Sequence, residues 1–574
     1  MLCYPRNIRH VFICGILVTI SVLVPRSVLA SEFSVPSERV VQDRLSEFAE
    51  FKNRSIVEFQ PFRAAQQVSD PDGNLMELLS VNAHHNMWFL LEIDVDGVDE
   101  QFHLELASPK KTKISLDNQD GAAILFEDEM GLFRCKPWAG KPNELSTARG
   151  TGLPYAPICN KKAFLRNAVD GNRSSREAVA EFLRDNVMFG ESLISMIKGT
   201  FYEDAYMSSG AVQDGGTVEE VASALGVAKL SSRPKMNSYF GFEVDTKSEG
   251  MKAGAWYPIV DGDGIYASAV QPGMIDPDIL SIPGANGLDE VESRADVFLV
   301  AFDLAKFDLG YEMGTDHPRL DWSPRPARII DRSMPGPDGF GSSDPFVRSG
   351  MLSPRHTDSV AATIAAGFKR AHSAFAFTDK AITRNGHHYG FVQNGAVLSR
   401  LNPGLSTIFV LDDGSIHMRS WTEQDDILLP RVAFARQNGV PLVENGVPGE
   451  HVSNWGFGNW SGSADAQLRT LRAGACLKKS KGRDFLVYGY FSTATPSAMA
   501  RVFQAYDCSY AMLLDMNSQE HSYMALYTHE DGRVIPHHVV RSMSALDGQT
   551  RDGFPSPRFV GYADNRDFFY LLRK

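Results

Sequence analysis

Long apolar runs are missing from this chain beyond its first thirty residues, and so is an excess of positive charge. A helix needs about 20 apolar residues to cross a bilayer, so no integral membrane segment is expected after residue 30. Lys and Arg number 57 against 70 Asp and Glu, which gives a formal net charge of -13. Nucleic acids and anionic lipids bind clustered Lys and Arg, so neither is expected as the main partner.

Cysteine is also scarce. Six are present, and the four beyond residue 30 are Cys135, Cys159, Cys476 and Cys508. None has the spacing of a zinc ligand set. An even number of cysteines in an oxidising compartment favours disulfides, and sequence proximity favours the pairs Cys135–Cys159 and Cys476–Cys508. Four buried free thiols are the alternative.

Other metal-like patterns are weak, so no metal site and no cofactor are assigned from the sequence. The segment that begins at Asp261 reads Asp-Gly-Asp-Gly but lacks the terminal Glu of a calcium loop, and it is more typical of a hairpin turn. Three His-His pairs occur. Neighbouring side chains on a strand point to opposite faces, so one pair alone is not expected to chelate a metal ion. These pairs are His84–His85, His387–His388 and His537–His538.

The N-terminus has the pattern of a secretory signal. Arg6 and Arg9 precede a stretch of 14 uncharged residues, and the sequence Val28-Leu29-Ala30 then offers a cleavage site. Cleavage would remove three arginines and no acidic residue, which lowers the formal charge to -16. An uncleaved anchor is the alternative, but the run is too short to span a bilayer. We therefore expect a signal peptide over residues 1–30 and a periplasmic or secreted mature protein.

Residues 31–290 are expected to form a strand-rich α+β domain whose role the sequence does not reveal. Residues 40–51 have the pattern of a helix, and residues 87–95 and 101–108 alternate as a hairpin does. Residues 174–205 change to helical spacing and predict a helical insert. Further strands are expected over 238–244, 255–260 and 264–270. The Gly- and Pro-rich passage 282–287 predicts the domain boundary.

Residues 291–574 are expected to form an α/β domain. An apolar strand pattern over 297–304 is followed by hairpins with Asn-Gly and Asp-Gly turns. Farther on, a strand over 485–490 precedes a helix with Thr495 at its N-cap and Pro496 in its first turn. A second apolar strand then ends at Asp515. Sites of α/β sheets lie at the carboxyl ends of strands, so Asp515 is the leading site candidate.

The order of motifs in this second half resembles that of the phosphodiester glycosidase family. The segments that carry the resemblance are Gln393-Asn394-Gly395-Ala396-Val397, Leu442-Val443-Glu444-Asn445-Gly446, Leu471-Arg472-Ala473-Gly474, Lys481-Gly482-Arg483, and Leu514-Asp515-Met516-Asn517-Ser518. The resemblance implies a phosphodiester glycosidase-like fold for residues 291–574. It also implies a glycan or sugar phosphodiester as the ligand.

Two segments depart from the family pattern. Residues 373–378 read Ser-Ala-Phe-Ala-Phe-Thr where the family has Asn-Gly-Gly-Phe, and Met516 and Asn517 stand where the family has paired glycines. Both departures fall where the family's site would lie. They weaken the inference that the chain is an enzyme.

The resemblance assigns roles to six residues. Asp515 and Glu444 would be acid/base or sugar-orienting carboxylates, and Arg472 would hold the phosphate. Asn445, Asn517 and Ser518 would form hydrogen bonds to the ligand. Structural roles for these residues are the alternative, since Asp often caps turns and Arg often pairs with a carboxylate.

Two functions follow from the sequence. The first is an exported hydrolase that acts on a glycosidic or sugar-phosphodiester linkage of the cell envelope. The second is a non-catalytic protein that binds a glycan or another envelope component. Asp303 and Glu312 flank the strand that opens the second half and are further candidates for the same cleft.

Overall fold

The computed structural model describes residues 33–50, 55–70, 73–95, 98–175, 177–179, 225–237, 239–247, 250–318, 343–367, 389–453 and 467–574. The predicted signal peptide, most of the predicted helical insert and the segment 373–378 lie outside these residues. No helix in the described ranges is long and apolar enough to span a membrane.

Strands dominate both halves of the chain. Those before residue 290 are β1 (Ala64–Ser69), β2 (Leu75–Ser80), β3 (Trp88–Val95), β4 (Val98–Leu106), β5 (Lys113–Asp117), β6 (Ala123–Asp128), β7 (Gly131–Cys135), β8 (Tyr155–Ile158), β9 (Ala163–Arg166), β10 (Lys235–Met236), β11 (Met251–Lys252), β12 (Tyr257–Ile259) and β13 (Gly262–Val270). Those after it are β14 (Val297–Asp303), β15 (Phe307–Glu312), β16 (Val360–Ala365), β17 (Phe391–Gln393), β18 (Ala396–Ser399), β19 (Ser406–Leu411), β20 (Ile416–Ser420), β21 (Val432–Gln437), β22 (Val443–Glu444), β23 (Val447–Pro448), β24 (Thr470–Ser480), β25 (Arg483–Ala494), β26 (Tyr510–Met516), β27 (Met524–Glu530), β28 (Arg533–His538), β29 (Gly548–Gln549), β30 (Pro555–Ser556) and β31 (Phe568–Arg573).

Within the described ranges, helices are few and short compared with the strands. The α-helices are α1 (Glu38–Glu50), α2 (Ile56–Phe59), α3 (Glu144–Gly150), α4 (Pro277–Leu280), α5 (Glu290–Arg294) and α6 (Pro496–Ala505). Single-turn or irregular 3₁₀ helices cover Pro272–Met274, Pro354–His356, Glu423–Arg431 and Arg541–Leu546. Residues 175 and 177–179 are also helical. The strand-rich α+β class expected from the sequence is confirmed.

The centre of the molecule is an eight-stranded sheet in the order β12-β13-β14-β25-β24-β26-β22-β23. Both of its faces are buried, which explains the uninterrupted apolar run of β14. Leu299 and Ala301 contribute to the core on one face, where α6 packs, while Phe298 and Val300 contribute to the core on the other face. Two five-stranded sheets, β15-β31-β16-β27-β28 and β18-β17-β21-β19-β20, share this second core.

The N-terminal half adds a six-stranded sheet, β1-β2-β3-β4-β9-β8, and a three-stranded sheet, β5-β6-β7, with a core of their own. A buried ion cluster joins this half to the rest. Arg166 at the end of β9 donates to Glu312 Oε1 at 2.8 Å, and Arg355 Nε lies 3.0 Å from Glu105 Oε1 of β4. Charged groups that are buried this deeply require such partners.

Each strand ladder in the described ranges is antiparallel. One expectation about local structure, the strand over 238–244, is corrected. Within 239–244, the only β pairing is an isolated bridge between Val244 and Ile259. Other elements agree with the sequence: Thr495 caps α6 by accepting the N–H of Ala498, and Asn394 and Gly395 have φ of 49° and 78° in the β17–β18 turn.

The predicted domain division at residue 290 stays a prediction. It falls between β13 and β14, which are hydrogen-bonded neighbours in the central sheet. Strands from before the proposed boundary therefore extend the same sheet as strands from after it.

Both favoured disulfides are present. Cys135 pairs with Cys159, and Cys476 of β24 pairs with Cys508, which precedes β26. The second bridge is buried beneath α6 and spans 32 residues of chain. It therefore ties the strand at the centre of the sheet to the strand that carries Asp515.

Replacing Cys476 and Cys508 together with alanine should lower the free energy of unfolding by about 3 kcal/mol, because the unfolded chain regains the freedom of the closed loop. Chemical denaturation of the double variant and of the original protein measures this loss. Equal stability of the two proteins would contradict the prediction.

Candidate functional site

The carboxyl end of β26 carries the strongest electrostatic perturbation among the predicted site residues. Asp515 is the next-to-last residue of this strand and is 5% exposed. The chain then turns at Asn517, whose φ is 80°. Ser518 holds the following turn by accepting the N–H groups of His521 and Ser522. The turn is half-buried, so it separates Asp515 from solvent on this side.

The side chain of Arg566 organises the site. Its Nη1 donates to Asp515 Oδ2 at 2.8 Å, and its Nη2 donates to Glu177 Oε1 at 2.6 Å and to His521 Nε2 at 2.8 Å. Arg566 precedes β31, so one guanidinium connects three separate parts of the chain. We define the Arg566 cluster as Glu177, His317, Asp515, His521, Asn565 and Arg566.

Further contacts hold the members of the cluster in place. Asn565 Nδ2 donates to Glu177 Oε2 at 3.2 Å, and His317 Nε2 lies 3.3 Å from Glu177 Oε1. His521 Nδ1 lies 2.8 Å from the carbonyl oxygen of Met516. Since Arg566 can only donate, His521 Nε2 accepts and its Nδ1–H donates to that carbonyl. His521 is therefore neutral in this arrangement.

The two carboxylates on Arg566 have opposite proton affinities. Burial raises the pKa of Asp515 to about 7, although Arg566 and the N–H of Met516 act in the other direction. Burial also opposes ionisation of Glu177, but Arg566 and His317 outweigh it and hold the pKa of Glu177 far below its usual range. Carboxylates whose pKa values are driven apart are typical of acid/base sites.

Asn565 and Arg566 each have a buried polar atom with no hydrogen-bond partner within the described ranges. These atoms are the Nε–H donor of Arg566 and the Oδ1 acceptor of Asn565. An unpaired buried polar group costs about 1–3 kcal/mol.

A divalent metal ion does not fit this cluster. Glu177, Glu520 and His521 each offer a ligand atom within 4.8 Å of the others. However, Glu177 and His521 already bind Arg566 Nη2. A second cation at the same atoms would face the positive guanidinium directly.

Three of the other sequence-predicted residues, Arg472, Asn517 and Ser518, lie near Asp515. Arg472 pairs with Met516 across β24 and β26, but its guanidinium donates to the carbonyl oxygens of Leu468 at 2.9 Å and Ala494 at 2.7 Å. Asn517 accepts a hydrogen bond from Thr470 at 3.2 Å. Asn517 and Ser518 thus lie beside Asp515, while the described contacts of Arg472 are mainly with the backbone.

Glu444 and Asn445 lie elsewhere. Glu444 is paired with Tyr510 at the start of β26, five residues from Asp515, which corresponds to about 16 Å along a strand. Its carboxylate accepts from Ser420 Oγ at 2.7 Å, and Asn445 occupies the exposed β22–β23 turn with φ of 53°. The structure therefore does not bring Glu444 and Asp515 together.

Asp303 and Glu312 are also remote from the cluster. Asp303 is paired with Phe485, at the opposite end of β25 from Phe491, which neighbours Arg472. Six residues of strand separate the two ends, or about 20 Å. Glu312 binds Arg166 in the buried cluster described above. Neither side chain lines the site at Asp515.

Sequence reasoning missed Glu177, His317, His521 and Arg566. His521 lies in the polar turn that follows Asp515, so its position gave a usable signal. Glu177 and Arg566 are separated by 389 residues, and no local pattern connects them. Tertiary contact alone reveals their relationship.

Comparison with known proteins adds little. No protein-family profile matches the chain, and no curated protein matches its sequence. Among solved structures, it is similar to the catalytic domain of zebrafish N-acetylglucosamine-1-phosphodiester alpha-N-acetylglucosaminidase, auto-inhibited by its pro-peptide, at 11% identity over 54% of this chain and 84% of that chain, with a TM-score of 0.28. It is also similar to a protein of Burkholderia pseudomallei K96243, described as exported, at 12% identity over 51% of this chain and 76% of that chain, with a TM-score of 0.22. Both scores are too low to support a conclusion about function.

Replacing Asp515 with asparagine should change how stability depends on pH. Because the pKa of Asp515 is raised on folding, its contribution is full below about pH 4 and is lost as pH rises to about 7. The stability of D515N minus that of the original protein should therefore grow across this window, by up to about 4 kcal/mol. Urea denaturation at several pH values tests this expectation, and a difference that stays constant with pH would contradict it.

Proposed function

We propose that this protein is an exported hydrolase that cleaves a glycosidic or sugar-phosphodiester linkage, with its site at the Arg566 cluster. The observation that carries the proposal is the juxtaposition of Asp515, which titrates near neutral pH, with an arginine that keeps one donor uncommitted. A strongly perturbed carboxyl with a specific charged partner is a candidate for acid/base chemistry. The order of motifs along the second half supports the choice of substrate.

In this proposal, Asp515 is the general acid. At neutral pH the Asp515 carboxyl is protonated in about half of the protein molecules, since its pKa is about 7. That proton can pass to the oxygen of the leaving group as the linkage to the sugar breaks. A water molecule then adds to the anomeric carbon, and its surplus proton returns to the Asp515 carboxylate. A solvent-exposed aspartate of ordinary pKa is almost fully ionised at this pH. Burial therefore supplies the proton affinity that Asp515 needs as a general acid.

Arg566 provides electrostatic stabilisation. Its Nε–H can donate to an anionic phosphate oxygen while its other nitrogens stay bound to Asp515 and Glu177. A charge-assisted hydrogen bond of this kind is stronger than a neutral one. Asn517 and Ser518, on the half-buried turn, would then form hydrogen bonds to sugar hydroxyl groups.

Export is supported by two independent features. The N-terminal pattern is that of a secretory signal. Both disulfides of the described residues are of a kind that persists in oxidising compartments. We place the mature protein in the periplasm or outside the cell.

A second candidate function is glycan binding without catalysis. The ion pair between Asp515 and Arg566 and the 5% exposure of Asp515 favour it, because a carboxyl held this way can serve the fold alone. A binding protein would use Asn517, Ser518 and the rest of the half-buried turn as its contact surface.

Hydrolysis of a panel of sugar-1-phosphodiesters and aryl glycosides by the mature chain tests the proposal. D515N should lose at least 100-fold in kcat/KM, a typical contribution of general acid catalysis. In the original protein, kcat/KM should fall as pH rises above about 7, because the acid form of Asp515 is lost.

The matched control is D303N. Asp303 is also a buried aspartate paired with an arginine, Arg483, but lies about 20 Å away along the sheet. It should keep the activity and the pH profile of the original protein. Glycan binding that D515N retains, with no turnover of any substrate by the original protein, would establish the binding function instead.

A further inference from the structure

The segment around residues 171–179 of the N-terminal half is attached closely to the site. The N–H of Asn172 donates to the Ala563 carbonyl at 2.8 Å, and the N–H of Asn565 donates back to the Asn172 carbonyl at 3.1 Å. At Gly171, a Cβ atom would lie 2.4 Å from Thr315 Oγ1 and 2.5 Å from the Asp564 carbonyl carbon. Only glycine permits this approach.

Ser174 continues the attachment toward the turn after β26. Its hydroxyl donates to Glu520 Oε2 at 2.8 Å and accepts the N–H of Glu177 at 3.1 Å. Arg173 forms an ion pair with Asp316. These contacts fix the start of the short helical segment, and Glu177 is directed from it to Arg566.

Glu177 is itself almost fully buried, with a side chain that is 3% exposed. It is bound to Arg566 Nη2 at 2.6 Å, to Asn565 Nδ2 at 3.2 Å and lies 3.3 Å from His317 Nε2. On the other side of the same guanidinium, Nη1 binds Asp515. The guanidinium is therefore held between one carboxylate from each half of the chain.

We propose that Glu177 is a positioning residue of the site: it fixes the orientation of Arg566 toward Asp515 and shares the positive charge that Asp515 would otherwise face alone. The proposal rests on the function assigned above. It gives the N-terminal half a role in the site, because the second half alone contains no counterpart of Glu177 among the described contacts of Arg566.

The electrostatic consequence has a definite sign. The charged or titratable groups that face Asp515 are Arg566, Asp567, Glu177 and the Tyr389 hydroxyl. Removing the negative charge of Glu177 removes its repulsion of the ionised Asp515 carboxylate. It also leaves Asp515 as the single carboxylate that binds Arg566 among the hydrogen bonds described. Both effects favour the ionised form of Asp515.

The test compares E177Q with the original protein, each with and without the D515N change. The pH dependence of the unfolding temperature in each pair isolates the titration of Asp515. Its midpoint should fall by roughly one pH unit in E177Q. E177D keeps the negative charge but on a shorter side chain, farther from Arg566, so the midpoint of the Asp515 titration should fall by less than in E177Q. This variant keeps the test available if E177Q does not fold.

E105Q is the matched control, since Glu105 is a buried glutamate that binds Arg355 at 3.0 Å in the other ion cluster. It should lower the unfolding temperature and leave the Asp515 midpoint unchanged. A folded E177Q or E177D with an unchanged midpoint would overturn the proposal.

Activity supplies a separate readout. If the original protein hydrolyses a substrate, the fall of kcat/KM at high pH should move to lower pH in E177Q by the same amount as the midpoint. If it hydrolyses none, the hydrolase function is contradicted, while the midpoint still decides whether Glu177 controls Asp515.

Discussion

The contact on which the site depends is a single buried guanidinium between two carboxylates. A buried arginine without partners would be very costly, and so would two buried carboxylates that face each other. Placing Arg566 between Glu177 and Asp515 meets both requirements with one side chain. The positive charge is shared unequally, since Glu177 is strongly stabilised as an anion whereas Asp515 retains a high proton affinity.

The central sheet supplies the rigid frame for this contact. β26 is paired with β24 up to Met516, the residue that follows Asp515, whereas β22 pairs only with Tyr510 and Ala511 at its start. Arg566 approaches from the chain segment that leads into β31, on the face shared with the smaller sheets. Glu177 approaches from the N-terminal half. The site therefore requires three chain segments that are distant in sequence, each held by its own hydrogen bonds.

The sequence predicts most helices and strands of the second half. It does not predict the direction or the register in which the strands pair. The helix after Thr495, the strand ending at Asp515 and the Asn394-Gly395 hairpin are determined by local periodicity and turn chemistry. The direction of neighbouring strands was not predicted, because a 3.6-residue and a 2-residue period say nothing of strand direction. Glu444 was grouped with Asp515 by motif order, whereas the register of β22 against β26 places it at the other end of the strand.

The sequence by itself determined the composition of the cores, the cysteine pairs favoured by proximity, and the polar turn that follows Asp515. Each of these depends on residues that are near one another in the chain or on the average burial of a residue type. Only the tertiary structure decided that Arg566, rather than Arg472, binds Asp515, and that Glu177 joins them from 389 residues away. The physical reason is that the proton affinity of a buried carboxyl depends on the distance to charges in space, which local pattern does not encode.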